Sequence, residues 1–298
     1  MPTSLIYPRI LLTGGTGQVG WELLRSLKKL GEVWAPTRSE FDLSNPESLR
    51  NTIKNYKPSL IVNSAAYTAV DRAESESELV YIINAKAPKV LAEEARKLDV
   101  LLVHFSTDYV FDGKKYLPYT EEDEPNPINI YGKSKLDGEL AIQECHNKYL
   151  ILRTAWVYSN RSNNFYTAMT RLLKERETLD VVADQMGTPT SAHSLASAST
   201  EIIQKTNDRL LSNSFRPEII NTVASGSATW FDFANQIADR MNSLALKCQL
   251  SPIPTSDYPT AAKRPLNSRL NNQKLKSRYN IEMPDWKVAL DECINSGQ

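Results

Sequence analysis

Apolar residues along this chain fall into short continuous runs that alternate with stretches of helical spacing. Ile10–Thr13 is apolar up to a glycine cluster, as a strand buried on both faces is. Gln18–Leu30 then carries Val19, Leu23, Leu24, Leu27 and Leu30 at intervals of three and four, which predicts a helix. Glu32–Ala35 and Leu60–Asn63 read as strands. Between them Asn45-Pro46-Glu47 opens a helix, with asparagine as N-cap and proline at the first helical position. The alternation continues: helix over Glu78–Leu98, strand over Val100–Phe105, helix over Tyr131–Cys145, strand over Tyr149–Arg153. Leu179–Val182 and Glu218–Thr222 read as later strands separated by a helix around Ser194–Ile203.

Such alternation predicts an α/β fold, a doubly wound parallel sheet with helices on both faces. We expect a dinucleotide-binding domain over residues 1–160, with the strands near 179–182 and 218–222 added to its sheet. Residues 161–298 are expected to form mainly a smaller, mostly helical substrate lobe, the chain crossing between the two. That last part holds Pro252, Pro254, Pro259 and Pro265, with helices predicted near Trp230–Leu244 and Pro284–Ile294. Residues 113–127 read as a polar loop with an acidic run, Glu121–Glu124.

Composition adds exclusions. Lys plus Arg number 35 and Asp plus Glu also 35, so net charge gives no support for nucleic-acid or acidic-membrane binding. Cys145, Cys248 and Cys293 are far apart and odd in number, and His104, His146 and His193 show no metal-ligand spacing. The N-terminus does not read as a signal peptide, and no stretch approaches the roughly 20 apolar residues of a membrane span. A reduced, cytoplasmic protein is expected.

The first chemistry lies at the end of the first strand. Gly14, Gly17 and Gly20 are spaced three apart in the order strand, loop, helix. The early glycine permits a tight turn, the next lets backbone approach a pyrophosphate, and the last lets helix and sheet pack closely. Free N–H groups at the helix start then face the phosphates. This is a Rossmann-type dinucleotide loop, with the glycine spacing of short-chain dehydrogenases. Where an acidic residue usually receives the adenosine ribose, the chain has Arg38, which suits a 2′-phosphate and favours NADPH. Glu40 and Asp42 stand close by, so NADH stays open.

The second is Tyr131-Gly132-Lys133-Ser134-Lys135. On a helix Tyr131 and Lys135 share a face. A lysine ammonium there is expected to lower the tyrosine pKa and make it a proton donor to a carbonyl oxygen. Ser106 and Thr107 stand at the carboxyl end of a predicted parallel strand, where α/β folds bind ligands. The plainer alternative is an ordinary helix beside a polar strand end.

Thr13–Gly20 (TGGTGQVG), Asn63–Asp71 (NSAAYTAVD), Phe105–Gly113 (FSTDYVFDG), Tyr131–Gly138 (YGKSKLDG), Arg153–Tyr158 (RTAWVY), Asp184–Thr190 (DQMGTPT) and Arg264–Leu270 (RPLNSRL) together resemble the dTDP-4-dehydrorhamnose reductase family over nearly the whole chain. The resemblance implies hydride transfer from NADPH or NADH to C4 of dTDP-4-dehydro-L-rhamnose, giving dTDP-L-rhamnose for surface polysaccharide. It implies that Tyr131 protonates the C4 oxygen, Lys135 holds the nicotinamide ribose and Thr107 bonds the reacting carbonyl. For the cofactor it implies Gly14, Gly17, Gln18 and Val19 at the pyrophosphate, Asp42 and Leu43 at the adenine edge, and Ala65, Ala66, Tyr67 and Asn84 along the middle. Asp108, Tyr109, Trp156 and Gln185 would face the sugar; Asn164, Phe165 and Arg264 would reach the nucleotide diphosphate.

Some relatives dimerise through a magnesium ion held by glutamates. Glu22 and Glu292 match that set, but His193 stands where its middle glutamate would be, so no metal site is assigned and a homodimer is left open. Two other readings share the motifs. One is a nucleotide-sugar epimerase, or another reductase, on the same scaffold. The other is a non-catalytic regulatory subunit like the beta subunit of methionine adenosyltransferase, which would have no need to keep Thr107, Tyr131 and Lys135.

Overall fold

The structure, a computed structural model, describes residues 6–241 and 248–296. The chain begins β1 (Arg9–Thr13), α1 (Gln18–Ser26), β2 (Glu32–Trp34), α2 (Pro46–Tyr56) and β3 (Leu60–Asn63). The expected cap of α2 is present: the Asn45 carboxamide accepts from the Ser48 N–H at 3.2 Å, ahead of Pro46. Next come α3 (Val70–Ala73), α4 (Ser77–Tyr81), one π-helical turn over Ile82–Lys86, α5 (Ala87–Leu98) and β4 (Leu101–Thr107). α6 (Ile130–Cys145) and β5 (Tyr149–Thr154) complete the first half.

The helix expected over Glu78–Leu98 is therefore broken at the π turn. Pro88 has no N–H to give the carbonyl of Asn84 four residues back. The widened turn also faces Asn84 inward, where its amide bonds Tyr67 and Ser134. Single π turns of this kind cluster at functional sites.

β1–β5 and β10 (Glu218–Asn221) form one six-stranded parallel sheet in the order β10-β5-β4-β3-β1-β2. Every residue of β3, β4 and β5 is buried, because helices cover both faces. On one face Leu12, Leu23, Leu27, Leu195 and Ile202 share a core; on the other, Leu11, Leu49, Ile53, Leu91 and Ile142. The chain leaves β1 toward β2 on one side and returns to β3 on the other. A crevice opens at that switch point, at the carboxyl ends of the strands.

The second half runs β6 (Val157–Tyr158), α7 (Phe165–Glu175), β7 (Thr178–Val182), β8 (Met186–Gly187), β9 (Thr190–Ser191) and α8 (Ala192–Leu211) before β10. After β10 come β11 (Ala228–Thr229), α9 (Trp230–Met241), β12 (Gln249–Ile253), α10 (Gln273–Tyr279) and α11 (Trp286–Ser296). One expectation fails here. The 179–182 strand does not join the main sheet; β7 pairs in parallel with β12, Val181 opposite Pro252. Of β7 only Val181 and Val182 are buried, which suits a strand covered on one side rather than a doubly covered sheet. The edge beside β5 is taken by β10. Residues 242–244 of the helix expected over Trp230–Leu244 lie outside the described residues.

Candidate active site

At the switch point Gly14 has φ +73°, and a Cβ there would lie 2.9 Å from the Ala65 amide nitrogen. The Gly17 N–H closes the turn on the Gly14 carbonyl at 2.9 Å, and α1 starts with no side chain capping its first N–H groups. Unclaimed helix-start donors beside backbone stripped of side chains are what a pyrophosphate requires, so these residues fit a dinucleotide. Gln18 ties the loop to the next layer, accepting from Ser159 Oγ at 2.9 Å and reaching the Val157 carbonyl at 3.5 Å.

From this loop a cleft of about 650 Å³ runs to the ends of β4 and β5. Gly14, Gly17, Gln18, Val19, Ala65 and Ala66 line one part; Thr107, Asp108, Tyr109, Tyr131 and Lys135 line its middle; Trp156, Asn164 and Phe165 line the far wall. The structure thus brings together, in one crevice, residues spread over most of the sequence.

Tyr131 and Lys135 enter from α6, whose N-cap Asn129 accepts from the Gly132 N–H at 2.8 Å. Lys135 is buried and donates to the Phe105 carbonyl at 2.6 Å. Burial lowers its pKa to about 8, opposed by the charge of Glu139 one turn on. Tyr131 departs from expectation. Burial raises its phenol to about 12, the nearby Thr107 hydroxyl pulling the other way. The Lys135 ammonium spends its bonds on β4, so desolvation outweighs it and the phenol stays protonated at neutral pH. Thr107 accepts from the Tyr109 N–H at 3.2 Å and donates to Asp108 at 2.9 Å. Asp108 is pushed up to about 6 by burial, and Tyr109 stacks edge-on against Tyr131.

Trp156 has φ +46°, an unusual backbone for a bulky residue and one that concentrates at functional sites. Its ring stacks on Trp230 at 3.4 Å with planes 3° apart. On Gly187 a Cβ would fall 2.2 Å from the same ring. Gln185 is not at the cleft surface: it accepts from Trp230 Nε1 at 3.2 Å and donates to Thr255 at 3.1 Å, buttressing the wall from behind. Asn164 lines the cleft, but its carboxamide caps α7 and bonds the Ser159 and Arg161 carbonyls.

Several expected residues stand outside the cleft lining. Asn84 uses its whole amide on Tyr67 and Ser134. The Tyr67 hydroxyl donates to Glu76 at 2.6 Å. Arg264 is paired with Asp71 at 2.7 Å. Arg38 is exposed beyond β2, 3.7 Å from Asp42, and Leu43 is buried with Phe41 and Leu49. His193 lies 3.2 Å from Glu22 in a separate cavity that Glu292 also lines. Among the described residues no group of three or more His, Cys, Asp or Glu is placed to hold a metal ion.

Sequence reasoning missed Trp230 and Thr154 as lining residues and His104 as a contact of Lys135. Trp230 reads as the first residue of a C-terminal helix, and nothing local says that it faces Trp156. His104 did leave a signal, the single polar residue inside an apolar strand.

A parallel sheet with a glycine loop at its switch point, and a tyrosine and lysine one helical turn apart above it, defines a nicotinamide-dependent α/β oxidoreductase. Residues 8–298 match the family model described as RmlD substrate binding domain, and the chain belongs to that family. The dTDP-4-dehydrorhamnose reductase of Burkholderia thailandensis is 44% identical over 291 residues, covering 96% of this chain and 98% of its own length. That of Escherichia coli K12 is 43% identical over 297 residues, covering 96% and 97%. The crystal structure of the Bacillus anthracis dTDP-4-dehydrorhamnose reductase in complex with NADP superposes with a TM-score of 0.88 at 36% identity, covering 97% of this chain and 99% of that one.

Proposed function

We propose that the protein reduces the C4 ketone of dTDP-4-dehydro-L-rhamnose to dTDP-L-rhamnose, with NADPH as the preferred reductant and NADH accepted less well. The observation that carries this reading is the single cleft in which the glycine loop, Thr107, Tyr131, Lys135 and Trp156 meet. Relatives of near-equal length named for the same reaction support it.

Bound along the glycine loop, the dinucleotide supplies the hydride that adds to the carbonyl carbon. Tyr131 gives its phenolic proton to the carbonyl oxygen. A phenol held at about 12 is fully protonated at pH 7, and the alkoxide it meets is the stronger base, so transfer runs downhill. Thr107 donates to the same oxygen and orients it, its hydroxyl turning from Asp108 to do so. Lys135 presents an N–H to the cofactor ribose and favours the phenolate as it forms. Asp108, Tyr109, Trp156 and Gln185 shape the sugar pocket; Asn164, Phe165 and Arg264 form the nucleotide diphosphate end. Arg264 would have to share its guanidinium with Asp71. Arg38 selects the 2′-phosphate. No helix among the described residues is long and apolar enough to cross a membrane.

The test is NADPH oxidation, followed by absorbance, with enzymatically prepared keto sugar, for wild type and Tyr131→Phe. Wild type should turn over and form dTDP-L-rhamnose. Tyr131→Phe should lose about 10²- to 10⁴-fold in kcat while binding NADPH normally. Silence from both proteins despite NADPH binding would mean a different keto sugar, or the regulatory-subunit reading.

A further inference from the structure

Before Ser106 and Thr107 at its carboxyl end, β4 is apolar except for His104, which is 0% exposed. A fully buried imidazole needs partners at both nitrogens. Nε2 lies 3.2 Å from Lys135 Nζ. Nδ1 lies 2.9 Å from the side-chain amide of Asn63 on β3, and that amide is 2.6 Å from the Thr13 hydroxyl on β1. Thr13 in turn accepts from the Ala65 N–H at 3.2 Å, and its carbonyl takes the Ser64 hydroxyl at 2.7 Å. A continuous buried chain therefore joins Lys135 to the residue directly before the glycine loop.

The chemistry of the partners orders the protons. An ammonium only donates, so the ring nitrogen facing Lys135 is the bare one and Nδ1 carries the hydrogen. In the structure Asn63 points Nδ2 at the ring and its Oδ1 accepts from the Thr13 hydroxyl; this proton order requires the amide to be turned over, oxygen to the ring and Nδ2 to Thr13. Burial and the charge of Lys135 both hold His104 neutral, as this arrangement requires. Of the three N–H bonds of Lys135, one goes to the Phe105 carbonyl and one to His104. Lys135 also lines the cleft, so its third N–H is available to a group bound there.

We propose that His104 is a positioning residue for the reaction: its bare Nε2, with the Phe105 carbonyl, pins Lys135 to β4 so that the remaining N–H is aimed into the cleft. The inference rests on the role given to Lys135 above. It also predicts a pH effect. The titratable and charged groups facing Lys135 are Tyr131 and Glu139 on its own helix and His104 on β4, with Glu139 held in a bidentate pair by Arg153 of β5. An acceptor favours the charged lysine, so removing it lowers the lysine pKa and moves the alkaline loss of activity to lower pH.

The experiment compares full-length wild type, His104→Leu, His104→Gln and Lys135→Met for kcat against pH, NADPH affinity and melting temperature. His104→Leu should lose about tenfold in kcat, and its alkaline limb should fall by about one pH unit. His104→Gln supplies a carbonyl acceptor and should recover most of the rate and the wild-type limb. Equal losses in both variants with the limb unmoved would leave His104 a packing residue and overturn the proposal. So would a wild-type profile in His104→Leu while Lys135→Met is inactive. Turnover surviving in Lys135→Met would instead remove the catalytic role of the lysine, and this inference with it. Should His104→Leu fail to fold, imidazole ¹⁵N spectra of wild type decide: a proton on Nδ1 of His104, identified by its absence in His104→Gln, is expected, and one on Nε2 overturns the arrangement.

Discussion

The two ends of the cleft are built in different ways. The dinucleotide end is one local device: β1, a glycine turn and the start of α1, within Arg9–Ser26. Its shape is set by backbone, and the few side chains it needs lie in neighbouring strands. The end proposed for the sugar is assembled from Asp108, Trp156, Gln185, Gly187 and Trp230, contributed by segments far apart in the chain. It also carries local costs that the other end lacks, a buried carboxyl and a tryptophan at positive φ. A local device can be written into a short motif. A wall of distant side chains is fixed only by the packing of the whole lobe.

If the sugar end is held at a cost to stability, relieving that cost should stabilise the protein. Asp108→Asn keeps the acceptor for Thr107 and removes the buried charge. Asp108 has its folded pKa raised from 3.8 to about 6, the reverse of the usual aspartate. The folded state thus holds the proton more tightly, and wild type loses stability as pH rises from the unfolded value through the folded one. At about 1.4 kcal/mol per pH unit the full penalty above pH 6 is of the order of 3 kcal/mol. Asp108→Asn should therefore melt higher than wild type at pH 8 and equally at pH 4. The same difference at both pH values would show that the carboxyl charge is not what costs stability, and would erase this contrast between the two ends.

A smaller effect tests the wall itself. A methyl on Gly187 would collide with the Trp156 ring, which Trp230 confines from one face. Overpacking of this kind costs about 1–3 kcal/mol. Gly187→Ala should raise KM for the keto sugar by about tenfold, with NADPH affinity unchanged. Loss of NADPH affinity instead would mean that the two ends are not separable.

The contrast also explains what could be read in advance. The alternating runs predict the parallel sheet because its central strands β3, β4 and β5 are buried on both faces and its helices on one, patterns that local sequence carries. The glycine loop and the Tyr131–Lys135 pair are legible because backbone conformation and helical spacing dictate their residue types. β7 was misplaced because a short run such as Leu179–Val182 does not say which strand it will pair with. The π turn escaped because its cause is tertiary, Asn84 turning to Tyr67 and Ser134, although Pro88 marked the place. The Tyr131 pKa was reversed because spacing reports the nearness of Lys135 but not how much water is left around the phenol. Trp230 could not be found from its neighbours in sequence, since its role is its partner across the lobe.

The smallest expected effect lies at the outer edge of the dinucleotide end. Arg38 is 77% exposed, and its link to Asp42 at 3.7 Å is a surface pair of adjacent turns. Such pairs contribute about 0–1 kcal/mol, so Arg38→Ala should leave melting unchanged. Its effect should appear only in cofactor choice. A solvated guanidinium attracts the 2′-phosphate of NADPH but offers nothing comparable to the bare ribose of NADH, so the substitution should lower kcat/KM for NADPH by about three- to tenfold and leave that for NADH alone. The ratio of the two measured in one buffer decides it, and raising the salt should mimic the mutation by screening the exposed charge. An unchanged ratio would assign the choice of cofactor to the buried backbone of the loop, making the dinucleotide end local in its selectivity as well as in its shape.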